Sequence, residues 1–331
     1  MKKILCTLLA LTMLFASVAF ASEDLMQEMD IAFLPKTVGG AWFTRMFSGI
    51  ELYSEETGST CYQSGPSAGD AAAQNRVVQD AVAAGVEVIA VCPFSPEQID
   101  VELGKAREEG IIVIANEGTL LQNIDYDIEA FKMKDFGTMA ADKMAEGMGY
   151  EGEIIVFVGS LASTSHVGWA QAIVDRMTEA YPNIKVANAG GVFIETGNNA
   201  ANSYEKAKEA LKTYPNAKAC FCPSATDTPS IALAIQEAGL TNQITFVAVG
   251  LPNANRTYVK DTSIDVLMSW DPGEVGQAMC RAAAAVKAGV ELKTGDDLGV
   301  FGFNSIIVED KVITGTEWRM LTAENVDEVD Y

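Results

Sequence analysis

The sequence contains little of what metal-binding, nucleic-acid-binding and membrane-bound proteins need. It has one His among 331 residues, which excludes a metal site built from several histidines. Lys and Arg number 23 against 45 Asp and Glu, so the formal charge is −22. Nucleic acids and anionic membranes are recognised through clustered Lys and Arg, and we expect the chain to bind neither. The length and globular composition predict about two folded domains.

The apolar run that could serve as a membrane anchor lies at the N-terminus, where residues 1–21 predict a signal peptide. Two lysines precede the apolar run Ile4–Phe15, and residues 19–21 read A-F-A, the A-x-A form of a cleavage site before Ser22. The run is shorter than the roughly 20 residues that span a bilayer. We therefore expect an exported protein that is cleaved near Ala21. Loss of the two lysines changes the formal charge from −22 to −24.

Cysteine is scarce, and five cysteines remain after the signal peptide. This odd number does not indicate a disulfide framework. Cys92, Cys220 and Cys222 lie on or at the end of apolar runs, which predicts buried thiols. The C-x-C spacing of Cys220 and Cys222 has no partner ligands nearby, so we expect no metal.

Short β-rich runs alternate with amphipathic helical patterns along the rest of the chain, which predicts an α/β fold. Residues 111–114 are all β-branched, and such runs are typical of parallel strands covered by helices on both faces. Gly85 and Ser95-Pro96 predict a helix end and a helix start. The predicted strands are Asp30–Pro35, Ser59–Ser64, Val86–Cys92, Ile111–Ala115, Ile154–Gly159, Lys185–Phe193, Ala219–Cys222, Thr245–Gly250 and Asp265–Ser269.

These elements form two similar halves, which predicts two doubly wound parallel-sheet lobes joined by a hinge of several crossings. The predicted crossings are Lys132–Phe136, Trp270–Pro272 and Phe301–Asn304. The predicted first lobe consists of residues 25–134 plus 271–302, and the second of residues 135–270 plus 303–331.

Candidate binding residues follow the predicted strands, because parallel sheets bind ligands beyond the carboxyl ends of their strands. This set contains aromatic rings, Lys36, acids and hydroxyls, which suit a small polyhydroxylated ligand: rings stack on its apolar faces and charged groups bind its hydroxyls. Gly39-Gly40 lacks the spacing of a phosphate-binding loop. One His and no recognisable Cys–His signature argue against an enzyme.

Each candidate also has a simpler structural explanation. Lys36 could be a solvated loop lysine, and Trp42 and Phe43 could belong to the core. An isolated Glu117 could be a surface acid, although it directly follows the most apolar strand. His166 stands at a loop-to-helix junction, where it could cap the helix or contact a ligand.

The order of motifs resembles the type I periplasmic substrate-binding proteins of ABC importers, the ribose-binding-like class. Within this class the chain is most similar to the rhamnose-binding and autoinducer-2-binding proteins. The resemblance covers essentially the whole mature chain. It is carried by IAFLPKTVGGAWFTRMFSGIE (Ile31–Glu51), VVQDAVAAGVEVIAVCPFSPE (Val77–Glu97), GIIVIANEG (Gly110–Gly118), CPSATDTPSIALAIQEAGL (Cys222–Leu240) and VAVGLPNANRTYVKDTSIDVLMSWDPGEVGQA (Val247–Ala278).

The resemblance implies a ligand site residue by residue. The lysine of the "PK" motif falls on Lys36, the stacking aromatic pair on Trp42 and Phe43, and the acid after the fourth strand on Glu117, where the family usually has Asp. An Asp-Gln pair of the autoinducer-2 branch falls on residues 165–166, which are Ser and His here, so a monosaccharide is favoured over autoinducer-2. The predicted second-lobe contacts are Ser165, His166, Trp169, Pro223, Ala225, Asp227, Trp270 and Asp271.

The resemblance also implies the function. A monomeric periplasmic protein without metal or cofactor would capture a monosaccharide or deoxy sugar between its lobes and deliver it to the permease of an ABC importer. An autoinducer-2-type or other small polyol receptor, and a sensor that reports to a membrane receptor, remain alternatives. A repressor of the related class would begin with a helix-turn-helix, where this chain has a signal peptide.

Overall fold

The computed structural model describes residues 25–188 and 193–331, and the predicted signal peptide lies outside them. Two largely parallel sheets carry helices on their faces, which confirms the predicted α/β fold. The first sheet contains β1 (Asp30–Leu34), β2 (Thr60–Gln63), β3 (Val88–Val91), β4 (Ile112–Asn116), β5 (Tyr126–Glu129), β12 (Ile307–Glu309) and β13 (Val312–Thr314). The second contains β6 (Gly152–Val158), β7 (Ile184–Val186), β8 (Ile194–Glu195), β9 (Ala217–Cys222), β10 (Thr245–Val249), β11 (Val266–Ser269) and β14 (Arg319–Leu321).

The helices flank these two sheets. Those that pack on the first sheet are α1 (Ala41–Thr57), α2 (Ala71–Ala84), α3 (Pro96–Glu108) and α9 (Pro272–Lys287). Those of the second are α4 (Met133–Gly147), α5 (Thr164–Ala180), α6 (Ala200–Thr213), α7 (Thr228–Glu237) and α8 (Pro252–Lys260). No helix among the described residues is long and apolar enough to cross a membrane.

The two sheets share one strand order. The first runs β2-β1-β3-β4-β5 before it continues into β13 and β12, and the second runs β7-β6-β9-β10-β11 before β14. β12 and β14 are antiparallel to their neighbours, and the other pairs are parallel. In each sheet the strand order reverses once, beside β1 in the first sheet and beside β6 in the second. The loops at the carboxyl ends of the strands diverge at this point and leave a crevice for a ligand.

Local signals place the helix ends. Gly85 adopts a left-handed φ of 73° after α2, as predicted, and its N–H bonds the last turn. Asp70 accepts the N–H of Ala73 at 2.9 Å and caps this helix, which begins at Ala71. Pro96 occupies the first turn of α3 after Ser95, also as predicted.

Helix α9 follows a strand of the second sheet but packs on the first lobe, against α1. Glycines make this approach possible. A Cβ on Gly49 would lie 1.9 Å from the carbonyl oxygen of Gly273, and a Cβ on Gly276 would lie 2.3 Å from that of Met46. Because backbone carbonyls cannot move out of the way, larger residues at these positions would force the helices apart.

The chain crosses between the lobes after β5, after β11 and after β13. The first two crossings lie at or beside the predicted ones. The predicted crossing at Phe301–Asn304, and the assignment of all residues 303–331 to the second lobe, are wrong. β13 pairs in parallel with β5, with Ile313 opposite Ile128, so residues 307–314 extend the first sheet and the chain crosses at 315–318.

All five cysteines beyond the signal peptide are free thiols. Cys92, Cys220 and Cys222 are buried in apolar clusters, as predicted. Of the predicted strand Lys185–Phe193, residues 185–186 belong to β7, and residues 189–192 lie outside the described residues. β8 begins directly after Phe193.

Candidate functional site

The carboxyl ends of the two sheets face each other across a cavity of about 90 Å³. The first lobe lines it with residues that follow β1, β3 and β4 or begin α1: Lys36, Thr37, Trp42, Phe43, Phe94 and Glu117. The second lobe and the crossing after β11 contribute Ser163, His166, Trp169, Asn198, Pro223, Ser224, Ala225, Thr226, Val249 and Trp270. The volume is below the roughly 300–1,000 Å³ of most drug-sized pockets, so the closed site suits a small ligand.

An ion pair of the first lobe lines the cavity and is hydrogen-bonded to a serine of the second lobe. Lys36 Nζ donates to Glu117 Oε2, and both belong to the first lobe. Ser165 begins α5 of the second lobe; its hydroxyl donates to Glu117 Oε2 at 2.6 Å and accepts from Lys36 Nζ at 3.1 Å. The side chains of Lys36 and Glu117 are only 12% and 9% exposed. A buried charge needs such partners, and here the partner from the second lobe is a neutral hydroxyl.

The end of β4 fixes the position of Glu117. Its neighbour Asn116 is buried and donates to the carbonyl of Ile128 at 2.7 Å, while the N–H of Gly118 donates to Asp127 Oδ1 at 3.0 Å. Burial raises the pKa of Glu117, but the charge of Lys36 and the hydrogen bonds to the carboxylate outweigh it, so the pKa lies below its usual value. Glu117 is therefore an ionised acceptor at neutral pH.

His166 is a neutral donor toward the cavity. Its Nδ1 accepts the N–H of Gly159 at 3.2 Å, which requires that Nδ1 carries no proton. Burial, followed by the charge of Lys36, lowers the pKa of His166 to about 3. The proton of the neutral ring is therefore on Nε2, and the site combines one cation, one anion and a neutral imidazole without net charge.

Aromatic rings form a continuous wall across both lobes. The rings of Trp42 and Trp270 meet edge to face at 4.8 Å, and Trp270 also lies 4.8 Å from Phe131 and 5.5 Å from Trp169. Trp169 and Trp270 are 3% and 2% exposed, so both are core residues as well as cavity residues. Trp42 and Phe43 are half-buried, pack against the same core and line the cavity, so both explanations of these two residues in the sequence, core and site, apply.

Three of the predicted site residues, Asp271, Asp227 and Ser165, do not line the cavity. Asp271 is held by Arg45, which donates to its two oxygens at 2.8 and 2.6 Å, and it caps α9 by accepting the N–H of Gly273 at 2.8 Å. Asp227 is fully buried at the start of α7, and Thr196 donates to it at 2.5 Å. Each carboxylate is thus engaged in the fold. Ser165 does not line the cavity either but contacts Lys36 and Glu117, which do.

The cavity also contains residues absent from the predicted set. Thr37, Ser163, Ser224 and Thr226 stand in the same post-strand loops as predicted residues, while Phe94 follows β3 and Val249 ends a strand. Asn198 follows β8 (Ile194–Glu195), a two-residue strand that lies just beyond the predicted strand Lys185–Phe193 and was not predicted. The turn sequence Gly197-Asn198-Asn199 was the signal that could have revealed it.

Two motif-like sequences occur in settings that do not fit their chemistry. Residues 65–69 read G-P-S-A-G, the pattern of a hydrolase nucleophile elbow, and residues 147–152 read G-M-G-Y-E-G, the pattern of a dinucleotide loop. Ser67 is exposed in a loop of the first lobe, while His166 belongs to the second. Residues 147–152 connect a helix to a strand, the reverse of the strand-to-helix turn that binds phosphate.

A larger depression of about 570 Å³ lies at the opposite edge of the second sheet, around the start of β6 and β9. Amino ends of parallel strands do not form the ligand crevice of such folds, and the depression involves one lobe alone. Within residues 25–188 and 193–331, no three His, Cys, Asp or Glu side chains are grouped as metal ligands.

Fold and cavity together define a two-lobed binding protein that encloses its ligand between the lobes. The family model described as "Periplasmic binding protein domain" matches residues 31–291, and the chain belongs to this family of substrate-binding proteins, which are not enzymes. A curated relative, the D-allose-binding periplasmic protein of Escherichia coli (strain K12), is 24% identical over 279 residues, which are 80% of this chain and 84% of the relative.

Solved structures share the fold at low identity. LsrB from Clostridium saccharobutylicum in complex with AI-2 has a TM-score of 0.81 and 19% identity, with 91% of this chain and 100% of that chain covered. A solute-binding protein from Clostridium phytofermentas with bound L-rhamnose has a TM-score of 0.81 and 16% identity, with 91% and 98% covered. The resemblance inferred from the sequence motifs is thereby confirmed at the level of family and fold.

Proposed function

We propose that the mature chain captures a small neutral sugar between its lobes in the periplasm and delivers it to the permease of an ABC importer. The observation that carries this proposal is the cavity itself, which a balanced Lys36–Glu117 pair, neutral polar groups and aromatic rings line together. Sugars present hydroxyls that both donate and accept, together with apolar ring faces that pack on aromatic side chains.

The ion pair also suggests how the lobes respond to a ligand. Ser165 joins the pair across the cleft, with its Oγ 2.6 Å from Glu117 Oε2. A sugar hydroxyl can replace this serine contact, because it can likewise donate to Glu117 and accept from Lys36. Closure over the sugar would then create the surface that a permease recognises, with the protein acting as a monomer.

The relatives support sugars as the class of ligand, but they are named for or solved with different sugars. The Escherichia coli relative is named for D-allose, and neighbours of the same fold are solved with L-rhamnose, D-arabinose or D-fucose. Autoinducer-2 remains the second candidate, because Pro223 and Ala225, which match that branch, line the cavity. Its Asp-Gln pair is replaced by Ser165 and His166, which weakens this alternative.

A thermal-shift screen of the mature protein with D-allose, L-rhamnose, D-arabinose, D-fucose and autoinducer-2 tests the proposal. A ligand present at about 100 times its Kd stabilises the folded state by about 2.7 kcal/mol, and titration calorimetry then gives the affinity. A shift with one or more sugars supports the proposal. A shift with autoinducer-2 alone establishes the second candidate, and no shift with any of them contradicts both.

A further inference from the structure

Asn198 occupies the end of the cavity that belongs to the second lobe, where no role has been assigned to it. Its Oδ1 accepts the hydroxyl proton of Ser224 at 2.9 Å, which fixes the amide orientation. The Nδ2 group makes no hydrogen bond within the described residues, although the side chain lines the cavity. Two amide protons are therefore available to a ligand there.

The backbone of Asn198 adopts the left-handed conformation. Its φ is 50°, in the left-handed region that non-glycine residues rarely adopt. Among the described residues, six non-glycine residues have a positive φ, and only Glu117, at 58°, and Asn198 line the cavity. Each lobe thus places one polar cavity residue on a strained backbone, and such strain is concentrated at ligand-binding positions.

Gly159, at the end of β6, brings Asn198 and His166 together. A Cβ at this position would lie 1.9 Å from Asn198 Oδ1 and 2.9 Å from His166 Cε1, so any side chain would displace both. The N–H of Gly159 also donates to His166 Nδ1 and leaves the proton of the ring on Nε2. One backbone position therefore organises two donors, His166 Nε2–H and Asn198 Nδ2.

We propose that His166 and Asn198 form a donor pair that binds an oxygen of the ligand at the second-lobe end of the cavity. The inference rests on the proposed sugar-binding function and adds a specificity rule to it. A ligand with a hydroxyl or carbonyl oxygen at that end is accepted, and an analogue with hydrogen or a methyl group there leaves buried donors unpaired. Such a mismatch weakens binding by about tenfold or more.

The test uses the mature protein and the variant Asn198→Gly, which removes the amide while glycine tolerates the left-handed φ. The probes are whichever of D-allose, L-rhamnose, D-arabinose and D-fucose binds the wild type most tightly, and its monodeoxy analogues, titrated by calorimetry. We expect one deoxy analogue to bind the wild type at least tenfold more weakly than the parent. We expect Asn198→Gly to bind the parent at least tenfold more weakly and to discriminate that analogue less than threefold.

Asn242→Gly is the matched control. Asn242 also has a left-handed φ, of 61°, and its Oδ1 accepts a hydroxyl proton from Thr262 at 2.9 Å, but it is exposed away from the cavity. This variant should bind the probes as the wild type does. If Asn198→Gly fails to fold, Asn198→Asp keeps the shape and replaces the donors with an acceptor, and the same loss is expected.

The outcomes separate this inference from the proposed function. If the wild type binds none of the four sugars of the thermal-shift screen, the sugar proposal fails and the donor pair fails with it. If the wild type binds a sugar but Asn198→Gly retains its affinity within twofold or its discrimination against every deoxy analogue, the donor pair is refuted while the sugar proposal stands.

Discussion

The substitution Glu117→Gln tests the centre of the site most directly. Gln keeps the size and shape of Glu117 but removes the negative charge and replaces one acceptor with a donor. The carboxylate accepts from both Lys36 and Ser165 through Oε2. A glutamine Oε1 can still accept these bonds as a neutral group, but its Nε2 presents protons where a ligand hydroxyl would otherwise donate.

The magnitude follows from the kind of hydrogen bond that is lost. A hydrogen bond to a charged group contributes about 1.5–3 kcal/mol net, against about 1 kcal/mol for a neutral one. Loss of one charge-assisted bond to a sugar therefore weakens binding by at least about tenfold, since about 1.4 kcal/mol corresponds to one decade in Kd. The ammonium of Lys36 also loses its counter-ion in a site where its side chain is only 12% exposed.

Titration calorimetry of the wild type and Glu117→Gln with the best sugar of the screen gives the comparison, and the melting temperature without ligand checks the fold. Glu195→Gln is the matched control, because Glu195 also accepts a serine hydroxyl, from Ser160 at 3.0 Å, but does not line the cavity. Glu117→Gln should lose at least tenfold in affinity and Glu195→Gln less than twofold. Equal affinity of Glu117→Gln and the wild type would show that the carboxylate binds no ligand hydroxyl.

Three further predictions concern residues outside the cavity. Asp271→Ala should lower the free energy of unfolding in urea by about 1–3 kcal/mol, because it removes a helix cap and leaves Arg45 without its partner. Its affinity for the sugar should change less than threefold, and a tenfold loss would place Asp271 in the binding site. Burial raises the pKa of Glu317, which lies in the third crossing, to about 7. The folded state then binds this proton more tightly than the unfolded state, so the free energy of unfolding of the wild type should fall as pH rises from about 4.5 to 7. Urea titrations at pH 5 and 8 should show a smaller pH dependence for Glu317→Gln than for the wild type. An equal pH dependence would contradict the raised pKa of Glu317. Mass spectrometry of the protein from its native host should show a mature N-terminus at or near Ser22, and an intact Met1 would refute cleavage.

The sequence predicts the two sheets well because their central strands carry strong and redundant signals. The β-branched run of β4 and the apolar strands around it can only be covered strands, and Gly85 and Pro96 mark helix ends by local geometry alone. The short strands β12 and β13 have three residues each. β13 is defined by its pairing with β5, about 185 residues earlier in the chain, and β12 by its pairing with β13. Local pattern contains no information on that pairing, and the third crossing was misplaced for this reason.

The sequence also predicts only the part of the site that depends on local features. Position after a strand is a property of the local sequence, and it brought Lys36, Trp42, Glu117 and His166 correctly to one cavity. Whether an acid at such a position faces the cavity or the fold depends on distant partners. Asp271 turns to Arg45, which precedes it by 226 residues, and no local feature distinguishes it from an acid that binds a ligand.

The balance of charge in the cavity restricts the class of possible ligands more than the fold does. The chain is strongly acidic, with a formal charge of −22, so its overall field disfavours the approach of anions. Among the described residues that line the cavity the only ammonium, Lys36, is already paired with Glu117, and burial keeps His166 neutral, with its Nδ1 accepting the N–H of Gly159. An anionic ligand such as a sugar phosphate or sugar acid would have to break the buried pair to gain a counter-ion and would leave Glu117 unpaired. A neutral polyol can instead insert its hydroxyls between the existing partners, and the arrangement of the cavity therefore favours neutral sugars over their charged derivatives.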